Sequence, residues 1–261
     1  MKNKLFLAPL IFSMLVLAAC GSQSTPTSAP AATALSAPTS APQAMPSPSP
    51  LSSTGVLDPA LSTDAASQSV ISHVYEGLVS VDASGQTAMA LADSITVSED
   101  GLDYIFDLRP SVSFHDGAKL DADAVVTNFN RWFDPKDPLH GSGMYDAWTA
   151  SFGGFKGETA SGGDPKSEVD GIQKQDTMTV IVHLNRPDAD FVNKLADPAF
   201  SIVSPAALSA AGFGTSSGKD GGSGPYKLGA WTSSSLTLEP FSAYWNSAAI
   251  PTADMQISIG Q

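Results

Sequence analysis

Within residues 62–78 the apolar positions Val70, Ile71, Val74, Tyr75 and Leu78 recur at the spacing of one helical face. Ser62, Thr63 or Asp64 stands where a capping side chain belongs, so a helix is expected from there to about residue 78. The period then falls to two. Leu102, Tyr104, Phe106 and Leu108 share one face and Asp103 and Asp107 the other; residues 94–98 precede them across Glu99-Asp100-Gly101. That pattern predicts a half-buried hairpin. A second helix is expected after Asp121, with Val125, Val126, Phe129, Trp132 and Phe133 on its apolar side. Residues 134–167 are rich in Gly, Asp and Pro and read as one long irregular region. A further hairpin is expected from 169–173 and 178–184. Short helices are expected at 189–196 and 205–211, a Gly/Ser loop at 212–224, and a last strand pair at 226–231 and 235–239. Helices and strands alternate without an internal repeat, so the fold class is α/β, a mixed α+β arrangement.

The N-terminus follows another pattern. Lys2 and Lys4 precede an apolar run over residues 5–17, broken only by Pro9 and Ser13 and ending in Leu17-Ala18-Ala19-Cys20. The run is too short to span a bilayer comfortably and has the form of a signal-peptide core. Its end resembles the bacterial lipoprotein box. The resemblance implies cleavage after residue 19 and lipidation of Cys20, whose acyl chains would anchor the protein at the membrane. An ordinary signal peptide with an incidental Cys, or a short uncleaved anchor, is the alternative. Residues 21–54 carry no charge, and 28 of the 34 are Ser, Thr, Pro or Ala. Such a segment has nothing to bury and is expected to be a disordered tether. The chain thus divides into a 1–19 leader, a 20–54 anchor and tether, and a 55–261 body.

Charge narrows the function. The 13 basic and 26 acidic side chains give −13, which becomes 11 − 26 = −15 once Lys2 and Lys4 leave with the leader. An acidic chain offers nucleic-acid phosphates no basic surface. A single Cys excludes an internal disulfide framework and a multi-cysteine metal site. None of His73, His115, His140 and His183 lies three or four residues from another, so no metal-binding helix motif is present. His115-Asp116-Gly117 reads as turn chemistry. Gly214 to Lys219 has three residues between its glycines where a phosphate loop has four, and Asp220 follows. Ser223 lacks the glycines of a nucleophile elbow. Asp121 and Asp123 suit the start of a helix. No catalytic residues, metal site or cofactor are expected.

Several stretches together resemble one family, the extracytoplasmic solute-binding proteins of peptide and nickel ABC importers (solute-binding family 5). They are Leu57-Asp58-Pro59 with the residues to Asp64, Val74-Tyr75-Glu76-Gly77-Leu78-Val79, Asp100 to Arg109, and Val112 to Gly117. Ala122 to Val126, Phe129-Asn130-Arg131, Ile202 to Pro205, Gly222 to Leu228 and Tyr244-Trp245 follow in family order. The resemblance implies the first lobe of a class II periplasmic-binding-protein-like clamp, which closes on a solute by hinge motion and hands it to ABC permease subunits. A peptide is the solute most expected, held non-covalently at the extracytoplasmic face of the cell membrane, on the periplasmic or cell-surface side. Thr63, Asp64, Tyr145 and Trp148 are the ligand-contact residues that the resemblance suggests. For Tyr145 and Trp148, packing of a glycine-rich loop is an equal alternative. Phe114, Trp132, Tyr226, Trp231 and Trp245 are expected in the core.

The chain departs from the family pattern twice. The strand that normally precedes Leu-Asp-Pro looks absent or replaced by tether. The second lobe looks missing, so a separately encoded second lobe is a further expected partner, and exposed sheet edges and apolar surface are anticipated. A surface lipoprotein for adhesion or sensing, a non-functional truncated receptor, and a hydrolase are the competing readings.

Overall fold

The computed structural model describes residues 47–52 and 55–260. The expected leader, Cys20 and most of the tether lie outside them. The elements run β1 (Leu51–Ser52), α1 (Ala65–Val74), β2 (Val79–Val81), β3 (Thr87–Met89), β4 (Ala92–Val97) and β5 (Asp103–Leu108). Then come α2 (Ala122–Phe133), α3 (Asp146–Phe152), β6 (Val169–Lys174), β7 (Thr179–Leu184), α4 (Phe191–Lys194), α5 (Pro205–Leu208), β8 (Tyr226–Trp231), β9 (Ser235–Pro240) and β10 (Met255–Gly260). The mixed α/β class expected from the pattern is the class observed.

The strands form two four-stranded sheets, ordered β4-β5-β7-β6 and β1-β10-β9-β8, and a small β2-β3 hairpin. The first sheet is antiparallel throughout, with Phe106 opposite Ile95 on one side and Val180 on the other. Alternation puts Tyr104, Phe106 and Leu108 into its core. α2 covers that face with Val125, Phe129, Trp132 and Phe133. Asp121 caps α2 by accepting from the Ala124 N–H at 2.9 Å. α3 adds Trp148 and Phe152 to the same core. The 134–167 region is therefore not irregular throughout: a two-turn helix closes on Gly153, which holds a left-handed φ of 86°.

The second sheet packs against α1, burying Leu51, Val70, Ile71, Val74, Leu236, Leu238 and Ile257 together. β1 runs parallel to β10, pairing Leu51 with Ile259 and Ser52 with Gly260. A short strand thus does precede Leu57-Asp58-Pro59, within the stretch expected to be tether.

α1 ends at Val74, four residues before the expected end. Tyr75 is already extended, and Glu76 pairs its carbonyl with the Ile202 N–H at 2.8 Å. α4 and α5, four residues each, are shorter than the helices expected there. The large hydrophobic side chains exposed among the described residues are Val56, Val81, Val97 and Met144, scattered along the chain, so the anticipated apolar patch is not seen. Among the described residues no helix is long and apolar enough to cross a membrane.

Candidate functional site

A cavity of about 820 Å³ opens beside the end of α1. Ser72 and Tyr75 come from that helix and its cap, Gly77 from the chain entering β2 and Ser80 from β2 itself. Tyr226 comes from β8, and the segment from Ala248 to Met255 lies before and at the start of β10. The volume is that of a pocket for a small solute.

Glu76 stands in its wall and organises the side chains behind it. One carboxylate oxygen accepts from the Tyr244 hydroxyl at 2.7 Å, the other from Ser223 Oγ at 3.0 Å, and the Trp245 indole N–H lies 3.1 Å from both. Burial raises the Glu76 carboxyl above its ordinary value, while the hydrogen bonds from Tyr244, Trp245 and Ser223 and the nearby His115 pull the other way. The Tyr244 phenol is pushed well up, by burial first and then by the carboxylate beside it. The Arg109 guanidinium stacks 4.2 Å over the Trp245 ring, bonds the Ala90 carbonyl at 2.9 Å and pairs with Asp93 at 3.3 Å. Trp245, expected as a core residue, is half-buried: it packs against the first core and its indole N–H donates to this carboxylate.

The loop that carries Ser223 lies flush on the end of α1. The Gly224 N–H donates to the Val74 carbonyl at 2.9 Å. A Cβ at Gly224 would come within 2.7 Å of the His73 carbonyl oxygen, and one at Gly222 would overlap that of Val74. Only glycine permits this approach. His115 ties the same loop down from the other side. Its Nδ1 lies 2.9 Å from Asp220, its Nε2 is 2.9 Å from the Gly224 carbonyl, and its own N–H donates to the Gly222 carbonyl. His115-Asp116-Gly117 is a turn, as expected, with Gly117 at φ 88°. The imidazole also acts as a staple across 105 residues of sequence. Ser223 is fully buried, and its hydroxyl serves Glu76, with His115 Nε2 directed to a carbonyl. The partner of the Ser223 hydroxyl is thus the Glu76 carboxylate and not the His115 imidazole.

The residues suggested by resemblance lie elsewhere. Tyr145 is 2% and Trp148 1% exposed, both inside the first core. The Tyr145 hydroxyl donates to the His140 carbonyl at 2.9 Å, and its ring stacks 4.4 Å from His140. The Trp148 indole donates to the Gly154 carbonyl at 3.0 Å. Both fill the loop's core, which is the packing alternative. Tyr145 also lies under Arg131, whose buried guanidinium holds Asp58 in a two-pronged ion pair. The Leu57-Asp58-Pro59 motif is thereby clamped to α2. Thr63 and Asp64 are exposed at the start of α1 and outside the cavity lining. Asp64 caps the helix, accepting from the Ser67 N–H at 2.8 Å. Slight burial raises its carboxyl, but the Ser67 hydrogen bonds outweigh this and hold it below its usual value. Residue pattern alone did not single out the cavity lining. The signals available were the Glu76-Gly77 break after a helical face and the Tyr244-Trp245 pair. Among the described residues, no group of three or more His, Cys, Asp or Glu side chains could hold a metal.

Comparison with known proteins gives one consistent family. A family model described as bacterial extracellular solute-binding proteins, family 5 Middle, matches residues 86–257. The glutathione-binding protein GsiB of Pectobacterium atrosepticum is 34% identical over 204 residues, covering 76% of this chain and 34% of that protein. This chain spans about a third of the length of the curated relatives it matches. Among solved structures, the periplasmic binding protein DppA of Helicobacter pylori, in complex with the peptide STSA, superposes with a TM-score of 0.65 at 25% identity. That match covers 81% of this chain and 41% of DppA. HbpA2 of Haemophilus parasuis gives 0.65 at 27% identity, over 78% and 41% of the two chains.

Proposed function

The chain belongs to family 5 of the bacterial extracellular solute-binding proteins, and we propose that it serves as a solute-binding component of an ABC importer, taking a peptide-like solute. The family match over residues 86–257 carries this reading. Glutathione, named for GsiB, is itself a short peptide, and DppA was solved with one bound. The cavity beside Glu76 is of a size for such a solute. Binding is non-covalent, and delivery is to permease subunits in the membrane. We also propose that Cys20 carries the lipid that holds the protein at the extracytoplasmic face, with residues 21–54 as the tether.

A thermal-shift titration of the full chain with glutathione and a set of dipeptides tests the binding. A ligand at 100 times its dissociation constant stabilises by about 2.7 kcal/mol, a readily measured rise in Tm. No rise with any of them at millimolar concentration would remove the importer reading. The anchor is tested separately by Cys20→Ser, which is expected to shift the protein from the membrane fraction to the soluble one. Unchanged fractionation and mass would remove the lipid.

A further inference from the structure

Asp220-Gly221-Gly222-Ser223-Gly224 leads into Pro225 and Tyr226 of the cavity wall. Gly221 to Pro225 are buried, yet the five residues before Pro225 carry no apolar side chain. Glycines lose the most conformational freedom on folding, so polar contacts must order this loop. The His115–Asp220 pair supplies them, and its donors and acceptors can be counted. The Gly224 carbonyl can only accept, so His115 Nε2, at 2.9 Å, carries a hydrogen. Nδ1 lies 2.9 and 3.0 Å from the two Asp220 oxygens. Those oxygens already accept from the Gly222 N–H at 3.0 Å and the Leu228 N–H at 2.6 Å. A second proton must therefore lie between Nδ1 and Asp220. Without it a ring lone pair would face two carboxylate oxygens. The other ionisable groups nearby are committed elsewhere. Glu76, after α1, is governed by burial, with His115 a smaller opposing influence, and is held by Ser223, Tyr244 and Trp245. Tyr75, at the α1 cap, is raised by burial first and then by Asp220. Asp116, on the turn that carries His115, accepts from Ser204 Oγ and the Ala118 N–H, and Lys119 bonds Ser113. Tyr244, after β9, is turned to Glu76, with Arg109 beside it. The Phe241 ring stands edge-on to the imidazole at 4.7 Å, and the His115 side chain is 1% exposed.

We infer that the proton held between His115 and Asp220 locks the 220–225 loop onto the end of α1, with both as positioning residues, and so makes the cavity wall at Pro225 and Tyr226 pH-sensitive. Opening the loop exposes the imidazole, and a solvated imidazole is largely unprotonated above about pH 7. Opening then releases one proton, so the lock weakens as pH rises. Every readout is taken on the protein without solute, so the inference stands or falls apart from the solute-binding reading. The first readout is nitrogen NMR of the full chain with labelled histidine rings. At pH 7.5 one ring is expected to carry hydrogen on both nitrogens, and its signals to vanish in His115→Gln. A bare Nδ1 on His115 at that pH would overturn the proton assignment. The second is amide hydrogen exchange, corrected for the intrinsic effect of pH, from pH 6.5 to 9. Protection of Gly222 and Leu228, which donate to Asp220, should fall relative to β5 and β7 by up to about tenfold per pH unit. Gly224, which donates to the Val74 carbonyl, and Phe241, which donates to that of Pro225, should follow the same slope. Asp220→Asn can pair with a singly protonated ring, and His115→Gln has no ring to titrate, so both slopes should flatten. A slope unchanged in both variants would overturn the lock. Steady protection of Gly224 and Phe241, while Gly222 and Leu228 lose theirs, would overturn its reach to the cavity wall.

Discussion

The two hydrophobic cores are made differently. The first lies under β4-β5-β7-β6 and is rich in aromatic rings: Trp148 contacts Phe129, Trp132, Phe133, Phe152 and Phe200 at centroid distances of 4.7–6.3 Å for all but Trp132, at 6.4 Å. Its sheet is built from two hairpins joined by the β5–β7 pairing. The second lies under β1-β10-β9-β8 and is mostly aliphatic. It joins residues 51–75 to residues 203–259, so its contacts close long loops and one of its edges is a two-residue parallel strand. Loop closure makes such contacts costly to form and places them among the first to open. The cavity borders this second core through Tyr75, Tyr226 and Met255. The cavity is thus placed where the fold yields most readily, and the aromatic core serves as the rigid base.

The largest expected effect is on that base. Trp132→Ala, at a fully buried site, should cost about 3–5 kcal/mol and lower the whole cooperative transition, read by chemical denaturation. A loss confined to one part of the chain would show that the aromatic core does not support the rest. Ile257→Ala in the second core should cost about 2–5 kcal/mol, and hydrogen exchange should quicken first in β8, β9 and β10. If exchange in β5 and β7 quickened equally, the two cores would be one cooperative unit and the contrast would fail.

A smaller effect is expected at the junction. Glu76→Gln turns one accepting oxygen into a donor facing Ser223 or Trp245, which should cost about 1–3 kcal/mol. Because burial raises the folded-state carboxyl above its unfolded value, the folded protein holds this proton more tightly. The stability linked to it is complete below the unfolded value of about 4.5 and is lost as pH rises through the folded value. The native protein should therefore gain on the Gln variant as pH falls from 8 towards 4.5, measured as a difference in denaturation midpoints. A difference that is flat with pH would remove Glu76 from the linkage. The smallest effect is at the exposed cap. Asp64→Ala should cost about 0.5–2 kcal/mol in the Tm of the full chain, with Asp64→Asn restoring most of it.

Much of the first core was legible in the residue pattern. Phe106 and its neighbours alternate, and α2 carries a capping Asp121 ahead of a clean apolar face, so the hairpins and the helix were found close to their observed bounds. Local periodicity suffices where neighbours in sequence are neighbours in space. α3 was missed because seven residues among glycines and prolines give too short a period. The Trp148 and Phe152 spacing and the following Gly153 were its available signs. The β2-β3 hairpin was missed too, although Asp82 and Gly85 make a readable turn between its strands. Tyr145 and Trp148 show the limit for sites: an aromatic residue in a loop has the same sequence appearance whether it faces a solute or fills a core.

The residues by themselves determined the α/β class, the two long hairpins, the acid-capped second helix and the acidic charge. Those follow from spacing, turn chemistry and composition, which act over a few residues. Only the tertiary structure decided the place of β1 beside β10, the end of α1 at Val74, the His115 staple on Asp220 and the Glu76 cluster. Each joins segments about 100 residues or more apart, or ends a helix because a distant carbonyl or glycine claims its backbone. The cavity belongs to that second group, since Tyr75, Tyr226 and Met255 become neighbours only when the long loops have closed.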